Sequence, residues 1–518
     1  MKLVHFYCLS LLMIFGSIDL SAQEIHVNWA EKSRVKFDYD EAVLLDNGNY
    51  IMRKSFQHLM QASKNTLVLL NNSMDVLKES EIKFDEKLNH GDELRKFGKN
   101  IYLFYSAYSL KTQIYTYYAL KIDDKTLEVQ SKILLGSLKS NHISSFVTPE
   151  YKLSDDSSKI LFFVEKPDFK KENKQFLISV LDSNLNIVWS QNIELNIPAK
   201  QVDLYDWDIS NSGKVFVSLK HYDQDVKKES IQQDGTKVPS YSFKMFVYDE
   251  RKTKPKELVF ALGNKFIQGS KVVCDNSGEV KIAGFYKTKY NGRISGAFYT
   301  TVNDKDLIMS KPQVIPIPDD VISMIDMDGY AKTKGNDPGI DEDFKIKFIK
   351  KRDNGSIDLI AEYTGMKTVT SGGTAGSSTT TYIFYYGDVL NIHVENNEKP
   401  IFTRIPKMQY GAATYFMGVY PILYNDKLIL LYNDDKDNVE KNISEKPDKF
   451  RKFGESILMA AIIDTKGNLT RQKVYKHEGD YVTMPTSIDK ISDGTYLIMA
   501  GLETMFNLRT KFGIMTVK

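Results

Sequence analysis

The sequence predicts an all-β fold, and three observations carry the prediction. Short runs rich in Tyr, Phe, Ile, Val and Leu recur along the chain, such as NIYLFYSAY (100–108), QIYTYYALKI (113–122), KILFFVEK (159–166) and KLILLYND (427–434), and helical periodicity is nearly absent. Such β-branched and aromatic runs suit a pleated surface. Turn clusters punctuate them in two interleaved series. The last unit of that rhythm lacks one strand, while a spare strand stands near the N-terminus. Together these point to a β-propeller of four-stranded antiparallel blades, eight by the turn count and seven as the alternative.

The first turn series reads DNGN (46–49), FGKN (97–100), DDSSK (155–159), NSGK (211–214), NSGE (276–279), DNGS (353–356), YNDK (424–427) and SDGT (492–495). Each is followed at once by an apolar strand. Asn, Asp and Gly belong there because tight hairpins need positive φ or side-chain-to-backbone bonds. The second series reads NNSMD (71–75), DDKT (123–126), DSNLN (182–186), DERKTK (249–254), NDKD (303–306), NNEK (396–399) and DTKGN (464–468). One unit is therefore strand, turn, strand, longer loop, strand, turn, strand. From Gly48 to Gly494 the spacing averages about 64 residues per unit, the scale of a repeated four-stranded blade. The blades are expected near 42–84, 95–136, 144–196, 202–261, 267–316, 343–406, 413–476 and 483–518. The eighth stops after FGIMTVK, before its fourth strand, and EIHVNWAEK (24–32) can supply it and remove an open edge. Two tandem β-sandwiches are the competing reading. They explain neither the matched turns nor the missing strand.

Composition agrees. The chain has 518 residues, 42% hydrophobic, 26% charged and 12% aromatic, which excludes disorder as the main state. The net charge of +2 gives no global signal for nucleic acid. Residues 1–22, MKLVHFYCLSLLMIFGSIDLSA, read as a cleaved secretory signal: Lys2, an apolar run, then Ser21 and Ala22 before Gln23. The run falls short of the roughly 20 residues that span a bilayer. His5-Phe6-Tyr7 before Cys8 is the wrong context for a lipoprotein signal. The exported chain would then keep only Cys274, in KVVCDNSGEV, which reads as buried filler. Export without disulfides fits a bacterial periplasm or outer surface. No later apolar segment is long enough to span a membrane.

Topology predicts which face is functional. The strand 1–2 and 3–4 turns share one face, and the strand 2–3 loops and blade crossings share the other. Both turn series are short. The strand 2–3 hairpins lengthen from about 25–27 residues in units one to three to about 38–42 in units four, six and seven, and such non-random length is a functional hint. The extra segments are 223–240, 366–381, read as a flexible Ser/Thr-rich loop, and 434–453. The crossing 317–341 is long as well.

No catalytic motif is present. Outside the expected signal segment the seven histidines His26, His58, His90, His142, His221, His393 and His477 form neither HxH nor HExxH, so no zinc site or other cofactor is predicted. Gly372 to Gly376 has glycine spacing but no helix after it. Asn433, Asp435 and Asp437 alternate as in a calcium loop, yet Asn438 and Ser444 stand where Gly and Glu belong, and a solvated turn is the better reading. Acid pairs such as Asp155-Asp156 and Asp319-Asp320 read as turn residues. Candidate ligand-binding residues are Asp388, Lys407, Gln409, Asn433 and Asp434, which the topology gathers at the seam between units six and seven, with Tyr385 and Tyr386 beside them. The competing reading is a polar staple between two blades and aromatic core packing.

The stretch TTTYIFYYGDVLNIHVENNEKPIFTRIPKMQ (379–409), followed by YFMGVYPILYNDKLILLYNDDKDN (415–438), resembles a family of uncharacterised secreted propeller-like proteins of Bacteroidetes. The matching positions are Tyr385, Tyr386, Gly387, Asp388, Ile405, Pro406, Lys407, Gln409, Asn433, Asp434 and Asn438. Asn397-Glu398 stands where the family's usual turn glycine would be. The resemblance covers about 60 residues specifically, implies the fold and export, and assigns no activity. The sequence therefore supports an exported, non-catalytic binding or scaffold module whose partner is a glycan, a peptide or an envelope protein. The alternatives are a glycan hydrolase or lyase with its site in the central funnel, and a structural subunit of an outer-membrane complex.

Overall fold

The turn residues sit where hairpin geometry demands them. In the turn between Tyr424 and Lys427, Asn425 and Asp426 adopt φ of 48° and 57°, the paired positive values of a twisted two-residue hairpin. Gly494 has φ of +66°, and a Cβ there would lie 2.8 Å from the Val517 carbonyl oxygen. The second series works through side chains instead. Asp123 Oδ1 accepts from the backbone N–H of Lys125 and Thr126, and Asp182 Oδ1 from those of Asn184 and Asn186. Asp464 repeats the pattern with Lys466 and Asn468. Such side-chain-closed turns explain why Asp or Asn leads every member.

The computed structural model describes residues 24–29, 39–56, 64–73, 75–86, 89–140, 149–167, 172–223, 227–250, 254–326, 338–372, 378–395, 398–449, 453–477, 481–503 and 508–518. The expected signal segment 1–22 lies outside them. Eight antiparallel blades follow one another, each four strands across, the first seven in sequence order. Their first strands are Tyr39–Leu44, Asn89–Phe97, Glu150–Leu153, Val202–Ile209, Phe266–Cys274, Phe344–Lys351, Tyr420–Tyr424 and, in blade eight, the short pieces Val482–Thr483 and Asp489–Ser492. The fourth strands are Val76–Ile82, Val129–Lys139, Ile187–Pro198, Lys256–Phe260, Gln313–Pro316, Ile401–Ile405, Leu469–Lys476 and, in blade eight, Ile25–Trp29. That N-terminal strand pairs with the last one, Ile25 opposite Val517 and Trp29 opposite Gly513. The ring is closed as the missing strand predicted.

First strands lie innermost and bridge one another around the axis. Glu41 accepts from the Leu94 N–H at 2.6 Å, and Asp206 and Asp208 accept from the N–H groups of Val272 and Cys274. Among the described residues the core is not one mass but eight apolar clusters, one at each seam. The cluster joining Tyr50, Met52 and Val68 of blade one to Leu497, Met499 and Phe512 of blade eight completes the circle. Burying each Leu, Ile or Phe contributes roughly 1.5–3 kcal/mol, so every seam is held by apolar area before any polar contact is added.

The long strand 2–3 segments of blades four, six and seven emerge on one face, as does the crossing between blades five and six. In blade four the segment forms its own hairpin, Ser230–Gln233 with Thr236–Pro239. The crossing carries the one α-helix among the described residues, Asp319–Asp326, whose Val321 and Ile325 join the seam between blades five and six. The blade six segment corrects the sequence reading. It is not a loose loop: the ladder between Ile357–Gly372 and Ser378–Val394 runs on without a break from Thr364 opposite Tyr386 to Gly372 opposite Ser378. Thr and Val are good strand residues, and ladder bonds are made by the backbone whatever the side chains. Residues 373–377, most of the glycine-spaced segment, lie outside the described residues. No helix among the described residues is long and apolar enough to cross a membrane.

Candidate functional site

Five of the residues picked out by sequence come together at the seam between blades six and seven, fully enclosed. Asp388 takes Arg404 Nε at 2.6 Å and the Lys407 backbone N–H at 3.2 Å. The Lys407 ammonium lies 2.8 Å from Glu362 and donates to Gln409 Oε1 at 3.1 Å. Gln409 Nε2 donates to the Asn433 carbonyl, and Asn433 Nδ2 donates to the carbonyls of Phe416 and Thr483. The chain of bonds thus runs from blade six through blade seven into blade eight. Asp434 Oδ1 accepts from the Asp435 N–H and from Asn438 Nδ2, each at 2.8 Å. Burial pushes the Asp434 carboxyl up to about 6 against the pull of those donors. Its Oδ2 and the Asn433 Oδ1 have no hydrogen-bond partner among the described residues.

The fourth strand of blade six ends at Ile405, so Lys407 and Gln409 lie beyond it. Pro406 supplies no N–H to continue the ladder. The chain then rejoins as Gln409–Gly411, opposite Phe384–Tyr386. Tyr385 and Tyr386 are half-buried. Tyr385 meets Tyr410 edge-on at 4.9 Å, and the Lys407 ammonium stands 5.8 Å from the Tyr386 ring centre. With 0% exposure at Asp388, Lys407, Gln409, Asn433 and Asp434, the geometry is that of an inter-blade staple.

Two histidine contacts invite a chemical reading. Ser456 Oγ lies 2.7 Å from His477 Nδ1. The Thr483 backbone N–H donates to His477 Nε2 at 3.2 Å, so the ring proton sits on Nδ1 and is donated to the serine oxygen. A serine that accepts from the imidazole is not activated by it. Burial lowers His477 to about 4, keeping the ring neutral. His393 and Asn391 both approach Asp358 Oδ1, while Arg352 Nε binds its Oδ2 at 2.7 Å. Arg352 also reaches the Asp426 carbonyl of blade seven, making a second staple on the short-turn side of the same seam. Cys274 is buried, and burial raises its thiol well above the usual range, as the filler reading expects. Asp435 closes a local turn by accepting from the Asp437 N–H. No group of three or more His, Cys, Asp or Glu that could hold a metal occurs among the described residues.

Open space lies elsewhere, at both ends of the central channel. On the loop-rich face a recess of about 320 Å³ lies between blades four and five, lined by Glu229, Phe266, Gln268, Lys287, Tyr290 and Glu342 among others. A second of about 380 Å³ shares Gln268 and Glu342 with it and continues past Tyr205, Ser270, Lys271, Phe285 and Lys345. The two form one groove, in the size range of ordinary small-molecule sites. Beside it Lys220 is boxed by the rings of Tyr205, Tyr222 and Tyr241 and bonded to Glu229 at 2.9 Å, which anchors the start of the extra hairpin. At the short-turn end a cavity of about 650 Å³ opens between blades one, two and eight. Its charges are paired internally: Arg95 with Glu93, Lys96 with Asp46, Lys490 with Asp493. Leu153 and Ile491 are exposed on its wall.

No residue lining either end of the channel stands among the sequence candidates, because turn and loop signals do not mark the inner strands. One signal was available. The inner strand of blade six reads FKIKFIKK, four lysines in eight residues, where the matching strand of blade four, VDLYDWDI, carries three aspartates.

No protein-family model and no curated protein matches this chain. Among solved structures it is similar to the β-propeller domain of the Trilobed protease from Pyrococcus furiosus, at 12% identity and a TM-score of 0.33 over 86% of this chain and 97% of that one. It is also similar to the WD40 domain of SCAP from fission yeast, at 7% identity and 0.38 over 96% and 94%. Pyrococcus horikoshii acylaminoacyl peptidase matches at 13% identity and 0.33 over 92% of this chain and 60% of that one. The chain is a β-propeller. The likeness reaches no further than the fold, which rests on the sheet order and the closed ring themselves.

Proposed function

We propose that the protein is an exported, non-catalytic binding or scaffold propeller whose loop-rich face receives a glycan, a peptide or an envelope protein. One observation carries the reading. The groove between blades four, five and six opens on the face where the long segments emerge, and it runs inward to the channel. A rigid ring with its irregular chain gathered beside a concave site is the usual arrangement of a binding scaffold. Export rests on the character of residues 1–22.

Purified protein probed on glycan, peptide and envelope-protein arrays tests the binding reading. Saturable binding without product is expected. Replacing residues 231–238 by a two-residue turn, which keeps Glu229 on Lys220, should weaken it while the melting curve holds. Turnover of a bound glycan would overturn the non-catalytic reading. Cell fractionation with N-terminal sequencing tests export, with Gln23 expected as the first residue.

A further inference from the structure

The inner end of the groove has a surplus of positive charge that the protein does not neutralise. The acids lining the groove are already engaged: Glu229 with Lys220 at 2.9 Å and Glu342 with Lys287 at 3.3 Å. Lys271 lies 3.3 Å from Asp206, which also holds Lys152. Lys345 is exposed on the groove wall, and Lys347 is half-buried two residues on. Neither makes an ion pair or a side-chain hydrogen bond with any described residue, whereas Glu362, the acid acting on Lys347, is claimed by Lys407 at 2.8 Å. Burial, with Lys345, Lys407 and Lys271 nearby, holds the Lys347 ammonium below its usual range. Cations crowded in this way gain from a bound anion, and more so in a recess than in open water.

The rest of the lining narrows the class of ligand. Tyr205 and Tyr290 are half-buried, with rings that have an apolar body and a polar tip. Gln268, Ser270 and Asn291 add amide and hydroxyl groups suited to sugar hydroxyls. We infer that the groove binds an acidic oligosaccharide, its carboxylate or sulfate held by Lys345 and Lys347 at the channel end and its sugar rings lying outward toward Tyr290. This rests on the reading of the loop-rich face as a binding face.

The test is calorimetry with trigalacturonate, maltotriose and triglutamate, on the wild type and on Lys345→Gln/Lys347→Gln, with Lys345→Glu as a second variant. Expected are saturable binding of trigalacturonate that weakens with salt, little binding of maltotriose, and a loss of about tenfold or more in both variants at unchanged melting temperature, as for removal of charge-assisted contacts. Equal binding of trigalacturonate by wild type and variants overturns the lysine assignment. Triglutamate bound in its place, with the same lysine dependence, overturns the sugar class. If the arrays show a neutral ligand and no acidic sugar, the inference falls and the binding-module reading stands. If nothing binds on any array, both fall.

Discussion

The seam between blades six and seven and the inner wall of blades five and six are built from the same side chains in opposite states. At the seam Lys407 is wholly enclosed, with Glu362 and Gln409 as fixed partners. On the wall Lys345 and Lys347 have no such partner; Lys345 lines the groove and Lys347 is half-buried two residues on. A lysine that has exchanged water for a carboxylate belongs to the architecture. One that has lost part of its water and gained nothing is open to a ligand. Polar residues in a propeller are therefore sorted by what answers them, not by their type.

The comparison breaks most sharply at Lys407. Lys407→Met should cost roughly 3–5 kcal/mol, because it leaves Glu362 buried and unpaired. Lys407→Met with Glu362→Leu should recover most of the loss, since an apolar pair of similar volume is often neutral. Denaturant melts decide it, and a single variant as stable as wild type would show that the seam does not depend on the pair.

Next in size is the pH dependence of Asp434. Its folded value of about 6 stands above the usual 3.8, so the fold favours the protonated form. The group's contribution is greatest below about pH 4 and declines as pH rises to 6, a difference of about 2–3 kcal/mol. His477, lowered to about 4, works the other way and costs stability as pH falls from 6.5 to 4. Asp434→Asn should therefore melt higher than wild type at pH 7.5, with the gap closing near pH 4. A gap that is constant with pH would contradict the assignment.

On the wall, Lys347→Met should be neutral or stabilise by up to about 1 kcal/mol, because it removes a cation held below its usual range. A large loss would mean that Lys347 belongs to the architecture after all. The smallest effect is expected at the arm of blade six. Joining Lys367 to Ile383 through an Asn-Gly turn removes the outer ladder, where Val369 and Tyr382 are exposed. The melting temperature should move by no more than a degree or two, since exposed ladder and loop length contribute little. A fall of many degrees would make the arm part of the core.

Much of this was legible in the sequence because turn chemistry is local. Asp464 closes its own turn, and Asn425-Asp426 sets its own hairpin, so the strands between them could be counted and the ring closed. The polar cluster could be placed because strand ends share a face. Its enclosure could not, since that depends on Pro406 interrupting a ladder and on Phe416 and Thr483 arriving from elsewhere in the chain. The lysine wall was visible as a run but not as a wall. A register shift between Ile346 and Phe348 breaks the two-residue alternation that would assign faces. The Ser/Thr arm was misread because its composition resembles a loop while its backbone pairs as a strand.

The partnership of Ile25–Trp29 with the final strand has a consequence in time. Blades one to seven are each contiguous in sequence, and each can assemble as its residues become available. The N-terminal strand has no partner until Gly513–Val517 has been made. Blade eight is completed only when the two strands meet across the whole chain. Loop closure over such a span is slow, and an uncovered edge invites strangers. Until the two ends join, blade eight presents an unpaired edge, the kind of surface open to aggregation and to proteases.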